Sequence, residues 1–257
     1  MSDAESLTRL LVSLGVRRGG VLMVHASLSG TGLGPSEVRD ALLAAVGPDG
    51  TLVTPAFTPE NSDTSRAHRT LVEGWSEEEI REFRAKMPPF VPDETPCPAM
   101  GALAETIRTT PGARRSTHPQ SSLAGLGPRA AELLARHHPH CHLGEESPLA
   151  ALYEADAQVL LLRAGFDACT VFHLAEYRVR PPLPTRVYRC VTGTVGNWTS
   201  YEDLVLDDGD FAAIGARLPK GLLAEGDWAG RPVVLLRMRD AVDNAVLQMS
   251  RFRTEIA

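Results

Sequence analysis

No apolar stretch in this chain approaches the roughly 20 residues needed to span a bilayer. The opening Met1-Ser-Asp-Ala-Glu-Ser6 is polar and acidic, without the basic start and apolar run of a secretory signal. A cytoplasmic protein with no membrane partner is therefore expected. Cysteine is sparse. Cys97, Cys141, Cys169 and Cys190 are scattered with no C-x-x-C pair, which argues against a disulfide framework or a zinc site and for reduced thiols. Basic charge is in deficit: the formal net charge is −6, so nucleic acid is not an expected partner. Phosphate-loop and hydrolase signatures are missing as well. Gly30-Thr-Gly32-Leu-Gly34 has neither the Gly-Lys-Ser/Thr of a P-loop nor the spacing of a dinucleotide fingerprint. No G-x-S-x-G elbow supports a serine hydrolase. Internal repeats and low-complexity linkers are also lacking.

What is present suits an α/β enzyme. The 257 residues are 43% hydrophobic and 23% charged, enough for a sizeable core in one domain spanning 1–257. Helical periodicity from Ser6 to Leu14 stops at Gly15. Gly20-Val-Leu-Met-Val-His25 reads as a buried strand, Pro35 to Val46 as a helix, and Thr51 to Pro55 as a second strand. That is a βαβ unit with parallel pairing. Residues 58–98 form a long polar, proline-rich excursion with a helix from Ser76 to Lys86, the kind of insertion that often flanks a site. Helices are expected over Met100–Arg108, Gly127–His137 and Leu149–Glu154, with a short strand-like segment from Ala124 between the first two. A strand over 158–164 follows. From 186 to 240 the pattern turns to alternating β-type residues, an antiparallel subregion, and Ala241–Phe252 closes as an amphipathic helix. The fold class is thus a central, mainly parallel sheet flanked by helices, with added antiparallel strands in the C-terminal part.

The strongest local signal is Thr170-Val-Phe-His-Leu-Ala-Glu176. Hydroxyl, imidazole and carboxylate recur every third residue. Each such step turns back about 60° on a helix, so all three share one face. A histidine backed by a carboxylate is a general base at neutral pH; the same spacing also makes a surface i,i+3 pair. The segment follows an apolar strand, at whose carboxyl end α/β proteins place their chemistry. Two other loops carry polar groups. His25-Ala-Ser-Leu-Ser29, followed by glycines, lets backbone N–H groups approach a ligand. Arg114-Arg-Ser-Thr-His-Pro-Gln-Ser-Ser122 offers cations, hydroxyls and an imidazole for an anionic cofactor; composition alone reads equally as an exposed basic loop with a turn proline. His137-His-Pro-His-Cys-His142 looks like a metal tract but lacks separated ligand pairs, so no metal is expected. Ser147 before Pro148 reads as a helix cap rather than a nucleophile.

Taken in order, His25–Ser29, Gly50–Pro55, Met87–Pro96, Met100–Glu105, Arg115–Pro119, Gly144–Pro148 and Thr170–Glu176 resemble the aminoglycoside 3-N-acetyltransferase family. These are antibiotic N-acetyltransferases that use acetyl-coenzyme A and are distinct from the GNAT enzymes. The resemblance runs from about Leu7 to Arg180 and continues more weakly beyond. It implies direct acetyl transfer to the 3-amino group of an aminoglycoside, conferring resistance. His173 would be the base, Glu176 its partner, and Thr170 a hydroxyl near the thioester sulfur. The cofactor's arm would lie along His25, Ser27, Leu28 and Ser29 and along Arg115, Ser116, His118 and Ser122. N–H groups near Ser27–Ser29, or Ser116, would serve the thioester oxygen. A polycationic acceptor calls for carboxylates; Asp63, Glu145, Glu202, Asp207 and Asp208 are the candidates, though each judged alone reads more readily as a solvated surface charge. A homodimer is an admissible assembly. Two positions depart from the family pattern. Arg163-Ala-Gly165 stands where Gly-Val-Gly is common, and Cys169 where Asn is. Arg163 would repel a polycation or bind an anion, so a non-aminoglycoside amine such as an aminophosphonate is the alternative acceptor. A catalytically idle protein that binds aminoglycoside or CoA is a third reading.

Overall fold

A strand covered on both faces reads as a continuous apolar run, because successive side chains point to opposite sides and both sides are buried. The computed structural model describes residues 3–253 and shows this directly. Met1 and Ser2, at the start of the polar opening, lie outside the described residues. Helix α1 (Asp3–Ser13) leads to β1 (Val21–Ala26), α2 (Pro35–Val46) and β2 (Thr51–Pro55). The excursion carries α3 (Arg66–Leu71) and α4 (Glu77–Lys86). Then come α5 (Gly101–Thr109), β3 (Arg114–Arg115), β4 (Leu123–Leu126), α6 (Ala130–Leu134), α7 (Pro148–Glu154) and β5 (Gln158–Leu162). After α8 (Phe172–Arg178) follow β6 (Thr185–Val191), β7 (Trp198–Leu204), α9 (Phe211–Ala216), β8 (Leu223–Trp228), β9 (Arg231–Arg237) and α10 (Met238–Phe252).

The main sheet has seven strands in the order β3-β4-β2-β1-β5-β9-β8. Its centre, β2-β1-β5, is parallel, and both flanks are antiparallel. Along β1, Val21 and Met23 enter one core while Leu22 and Val24 enter the other; β5 alternates likewise through Val159, Leu160, Leu161 and Leu162. One core is closed by α1, α2 and α5, the other by α6 to α10. At β1 the connections diverge to β2 on one side and β5 on the other. Such a switch point opens a crevice at the carboxyl ends of the strands.

Two expectations change. The antiparallel C-terminal part does not stay together: β6 and β7 form a separate ribbon, whereas β8 and β9 join the main sheet beside β5. The helix expected over 127–137 is helical only at Ala130–Leu134. Its continuation turns inward so that His137 can take a hydrogen bond from Ser116 Oγ at 2.9 Å and donate to the His142 carbonyl at 2.8 Å. Those long-range bonds outweigh the helical propensity of a short polar segment.

Helix α9 abuts the 3₁₀ turn Phe166–Ala168 just ahead of the Thr170 segment. A Cβ on Gly215 would lie 2.0 Å from Phe166 Cγ, so no side chain fits there. Replacement Gly215→Ala should force the helix off the turn and destabilise the fold by about 1–3 kcal/mol. A lower urea midpoint would register this; an unchanged midpoint would contradict the packing.

Candidate active site

Helix α8 begins at Phe172, so Thr170 sits on the turn that leads into it rather than on the helix. The turn continues the helical path, with His173 N–H bonded to the Thr170 carbonyl at 3.1 Å. Thr170 and His173 therefore still face one cavity. Glu176 does not: it is fully buried behind His173. One oxygen, Oε2, accepts from His173 Nδ1 at 2.6 Å. The other, Oε1, accepts from the Asp207 backbone N–H at 2.9 Å and from Arg253 at 2.5 Å. A carboxylate only accepts, so His173 Nδ1 carries a proton, and in the neutral ring Nε2 is the lone-pair acceptor. Burial works against the Arg253 charge, but bonds to Asp210 and Glu176 outweigh it and hold the guanidinium's pKa above its ordinary value. The Phe211 ring packs against the His173 imidazole at 4.8 Å and fixes its tilt.

His173 stands between two openings. The first encloses about 300 Å³ at the carboxyl ends of β1 and β2, with walls largely of Val24, Ala26, Pro55, Met100, Leu103 and Ala168. His25 belongs to this wall. Its Nε2 accepts the Thr170 backbone N–H at 3.2 Å, which places the proton on Nδ1, and that buried N–H has no partner among the described residues. Burial lowers the His25 pKa to about 4, so the ring is neutral at pH 7. The second opening, of about 650 Å³, lies between the excursion and the β6–β7 ribbon. Phe57, Arg66, Gln120, Arg186, Tyr188 and Asp208 line it. Asp208 faces both cavities.

The remaining expected site residues are distributed differently. Ser27 borders a third cavity with Arg163, Leu28 packs against the core under α1 and α2, and Ser29 is exposed. Arg115, Ser116, His118 and Ser122 are buried and do not line the His173 cavities. Arg115 clamps the loop before α5, donating to the carbonyls of Pro92, Thr95 and Ala56 and to Ser122 Oγ. Ser116 is committed to His137 and to the Leu123 N–H, so it is not free to serve a thioester oxygen. His118 Nδ1 accepts from the Gln120 and Ser121 N–H groups. Spacing cannot distinguish a cation that binds a ligand from one that ties its own loop; here the carbonyls consume the donors.

Among the five candidate carboxylates only Asp208 reaches the open cleft. Asp63 is buried against Arg189 at 3.0 Å and Arg84 at 3.6 Å. Glu145 pairs with Arg178 at 2.7 Å, and Glu202 accepts from Thr185 Oγ1. Asp207 caps its own turn through the Gly209 N–H at 2.9 Å, while its backbone serves Glu176. Arg163 lies outside the cleft as well. Arg66 and Arg186, which no local motif signals, line the cleft instead. Ser147 caps α7, accepting from Leu149 N–H at 3.2 Å. The histidine tract splits: His137 and His142 turn inward, and His138 and His140 face out.

Comparison with known proteins gives the family and the fold. A family model described as aminoglycoside 3-N-acetyltransferase matches residues 23–250. Aminoglycoside N(3)-acetyltransferase III of Serratia marcescens is 40% identical over 190 residues, covering 72% of this chain and 67% of that protein. The crystal structure of the YokD protein from Bacillus subtilis superposes with a TM-score of 0.90 at 31% identity, over 98% of this chain and 94% of that one. AAC-IIIb in a binary structure with CoASH gives a TM-score of 0.82 at 31% identity, covering 96% of each chain. The motifs, the sheet order and these matches agree: the chain belongs to the aminoglycoside 3-N-acetyltransferase family.

Proposed function

We propose that this protein transfers an acetyl group from acetyl-CoA directly to an amine of an aminoglycoside, the 3-amino group, and so confers resistance to it. The observation that carries the reading is His173 at the junction of two cavities, backed by Glu176 and Arg253. Acetyl-CoA supplies the activated acetyl thioester. The narrow, largely apolar cavity suits its pantetheine arm, and the unpartnered His25 Nδ1–H is a buried donor waiting for a carbonyl oxygen. A protonated amine is not a nucleophile, so His173 Nε2 accepts one of its protons as the nitrogen bonds to the thioester carbon. The adduct then breaks its C–S bond; the CoA thiolate leaves and takes that proton back from the imidazolium as free thiol, and the second ammonium proton passes to solvent. The imidazolium is stabilised by Glu176, whose second oxygen stays bonded to Arg253 and the Asp207 N–H. Asp208 is placed to hold the ammonium before it gives up that proton. Cys169, beside Thr170, is a poor rival nucleophile, because burial pushes its thiol up to about 12.

The test is release of free thiol on mixing acetyl-CoA with a panel of aminoglycosides, followed by product mass and position. CoA binding without release from any of them would remove the acceptor. One observation favours a second acceptor. Arg66 and Arg186 line the cleft without a carboxylate partner among the described residues, Arg186 lying over the Tyr188 ring at 4.2 Å. An amine that also bears a carboxylate or phosphonate would satisfy them, and the same assay with such amines separates the two readings.

A further inference from the structure

Arg163 follows β5 directly and is 8% exposed. Its Nε and Nη1 are buried with no acceptor among the described residues. The nearest compensation is the Trp228 ring, 6.0 Å from its Cζ, at the outer limit of a cation–π contact. No carboxylate pairs with it among the described residues. A buried cation without a counter-charge is unfavourable unless an anion reaches it. The backbone adds a second cost. Arg163 has φ of +59°, a region that favours glycine. Two unfavourable choices at one position favour a ligand-binding role over a folding role.

The surroundings indicate the ligand. Arg163 lines a cavity of about 710 Å³ together with Ser27 and Arg231. Arg231 Nη1 lies 3.5 Å from Ser27 Oγ, so a second cation and a hydroxyl share the wall. The Arg163 N–H donates to the Pro232 carbonyl at 3.0 Å, which fixes the start of β9 and keeps the two arginines together. Among the described residues Asp167 is the one carboxylate on this wall, leaving a net positive charge. Ala26, Ala164, Asp167 and Ala168 border this cavity and also the His25–His173 cavity, so the two adjoin.

We propose that Arg163, Arg231 and Ser27 form a phosphate subsite, which holds a phosphoryl group of coenzyme A while its pantetheine arm occupies the adjoining cavity. This rests on the acetyl-CoA reading above. Arginine guanidinium donors and a hydroxyl match phosphate oxygens, and partial burial strengthens such bonds.

Calorimetric titration of CoA, pantetheine and inorganic phosphate into wild type, Arg163→Gly and Arg231→Ala tests it. Glycine suits the +59° backbone, so Arg163→Gly should fold with an unchanged or higher melting temperature. Its Kd for CoA should rise roughly ten- to a hundredfold, with pantetheine affinity unchanged. Arg231→Ala should move CoA affinity in the same direction by less. Unchanged CoA affinity in Arg163→Gly, or an equal loss for pantetheine, overturns the subsite and leaves the acetyl-CoA reading intact. Inorganic phosphate that needs Arg163 but does not compete with CoA overturns the assignment to the cofactor. A wild type that binds no CoA sinks the acetyl-CoA reading, and this subsite with it.

Discussion

Replacement His173→Ala is expected to lower kcat about 10²- to 10⁴-fold, the usual contribution of a positioned base. That corresponds to about 3–5 kcal/mol of transition-state stabilisation. The loss should appear equally in kcat and kcat/KM, because the proton is taken only as the amine attacks. CoA binding should be nearly unaffected, since His173 forms only one end of its cavity. Stability should change little: Glu176 would keep its bonds to Arg253 and the Asp207 N–H, so no buried charge is left unpaired. Steady-state kinetics with the best acceptor decides the matter. Turnover that survives the substitution would show that the proton leaves by another route.

The second large effect concerns acid. His118, His137 and His142 form a buried polar cluster that joins the β6–β7 ribbon to the body. His142 Nδ1 bonds Asp203 at 2.7 Å, and Tyr177 donates to the same carboxylate oxygen at 2.8 Å. The Tyr201 hydroxyl and Gln120 lie 3.0 and 3.1 Å from His142 Nε2. Burial lowers the pKa of all three histidines: His137 to about 4, like His25, and the other two in the same direction. The sign follows from linkage. A folded pKa below the unfolded value means the unfolded chain binds more protons, so stability present above about pH 6.5 is lost as pH falls toward 4. Each such histidine removes about 1.4 kcal/mol per pH unit in that window. With His25 and His137 alone, the loss between pH 6.5 and 4.5 is on the order of 5 kcal/mol, comparable to a domain's whole stability. Melting temperatures at pH 7.5, 6.5, 5.5 and 4.5 should fall progressively. A flat profile down to pH 5 would mean that these rings charge as readily in the folded chain as in the unfolded one.

Where a boundary depends on neighbouring residues, it was legible in the chain. Helix α2 starts where Pro35 follows Gly34, whose N–H donates to Glu37 at 2.8 Å, and stops at Gly47 with φ of 75°. Helix α4 is announced by Ser76 and Glu79, which bond reciprocally. The parallel centre followed from two apolar runs and an intervening helix. Less legible was the fate of the antiparallel strands: β8 and β9 carry β-type residues wherever they pair, and only the open edge of β5 makes them part of the main sheet. Likewise, the polar loop at 114–122 has a composition that suits an anion, yet its buried cation, Arg115, is consumed by carbonyls brought from 56, 92 and 95.

The sequence by itself determined the His173–Glu176 pair, because i,i+3 spacing on a helix brings the two side chains together whatever surrounds them. It also determined that this pair follows a strand buried on both faces. The tertiary structure decided what the pair is worth. Arg253, 77 residues away, and the Asp207 backbone hold the second oxygen of Glu176 and so orient the carboxylate behind His173. The tertiary structure alone also decided that Asp208 reaches the cleft while Asp63 and Glu145 are spent on arginines, and that Arg163 lines a different cavity. Hydrogen bonds and ion pairs between distant segments depend on which loops the sheet order brings side by side, and local spacing carries no record of that.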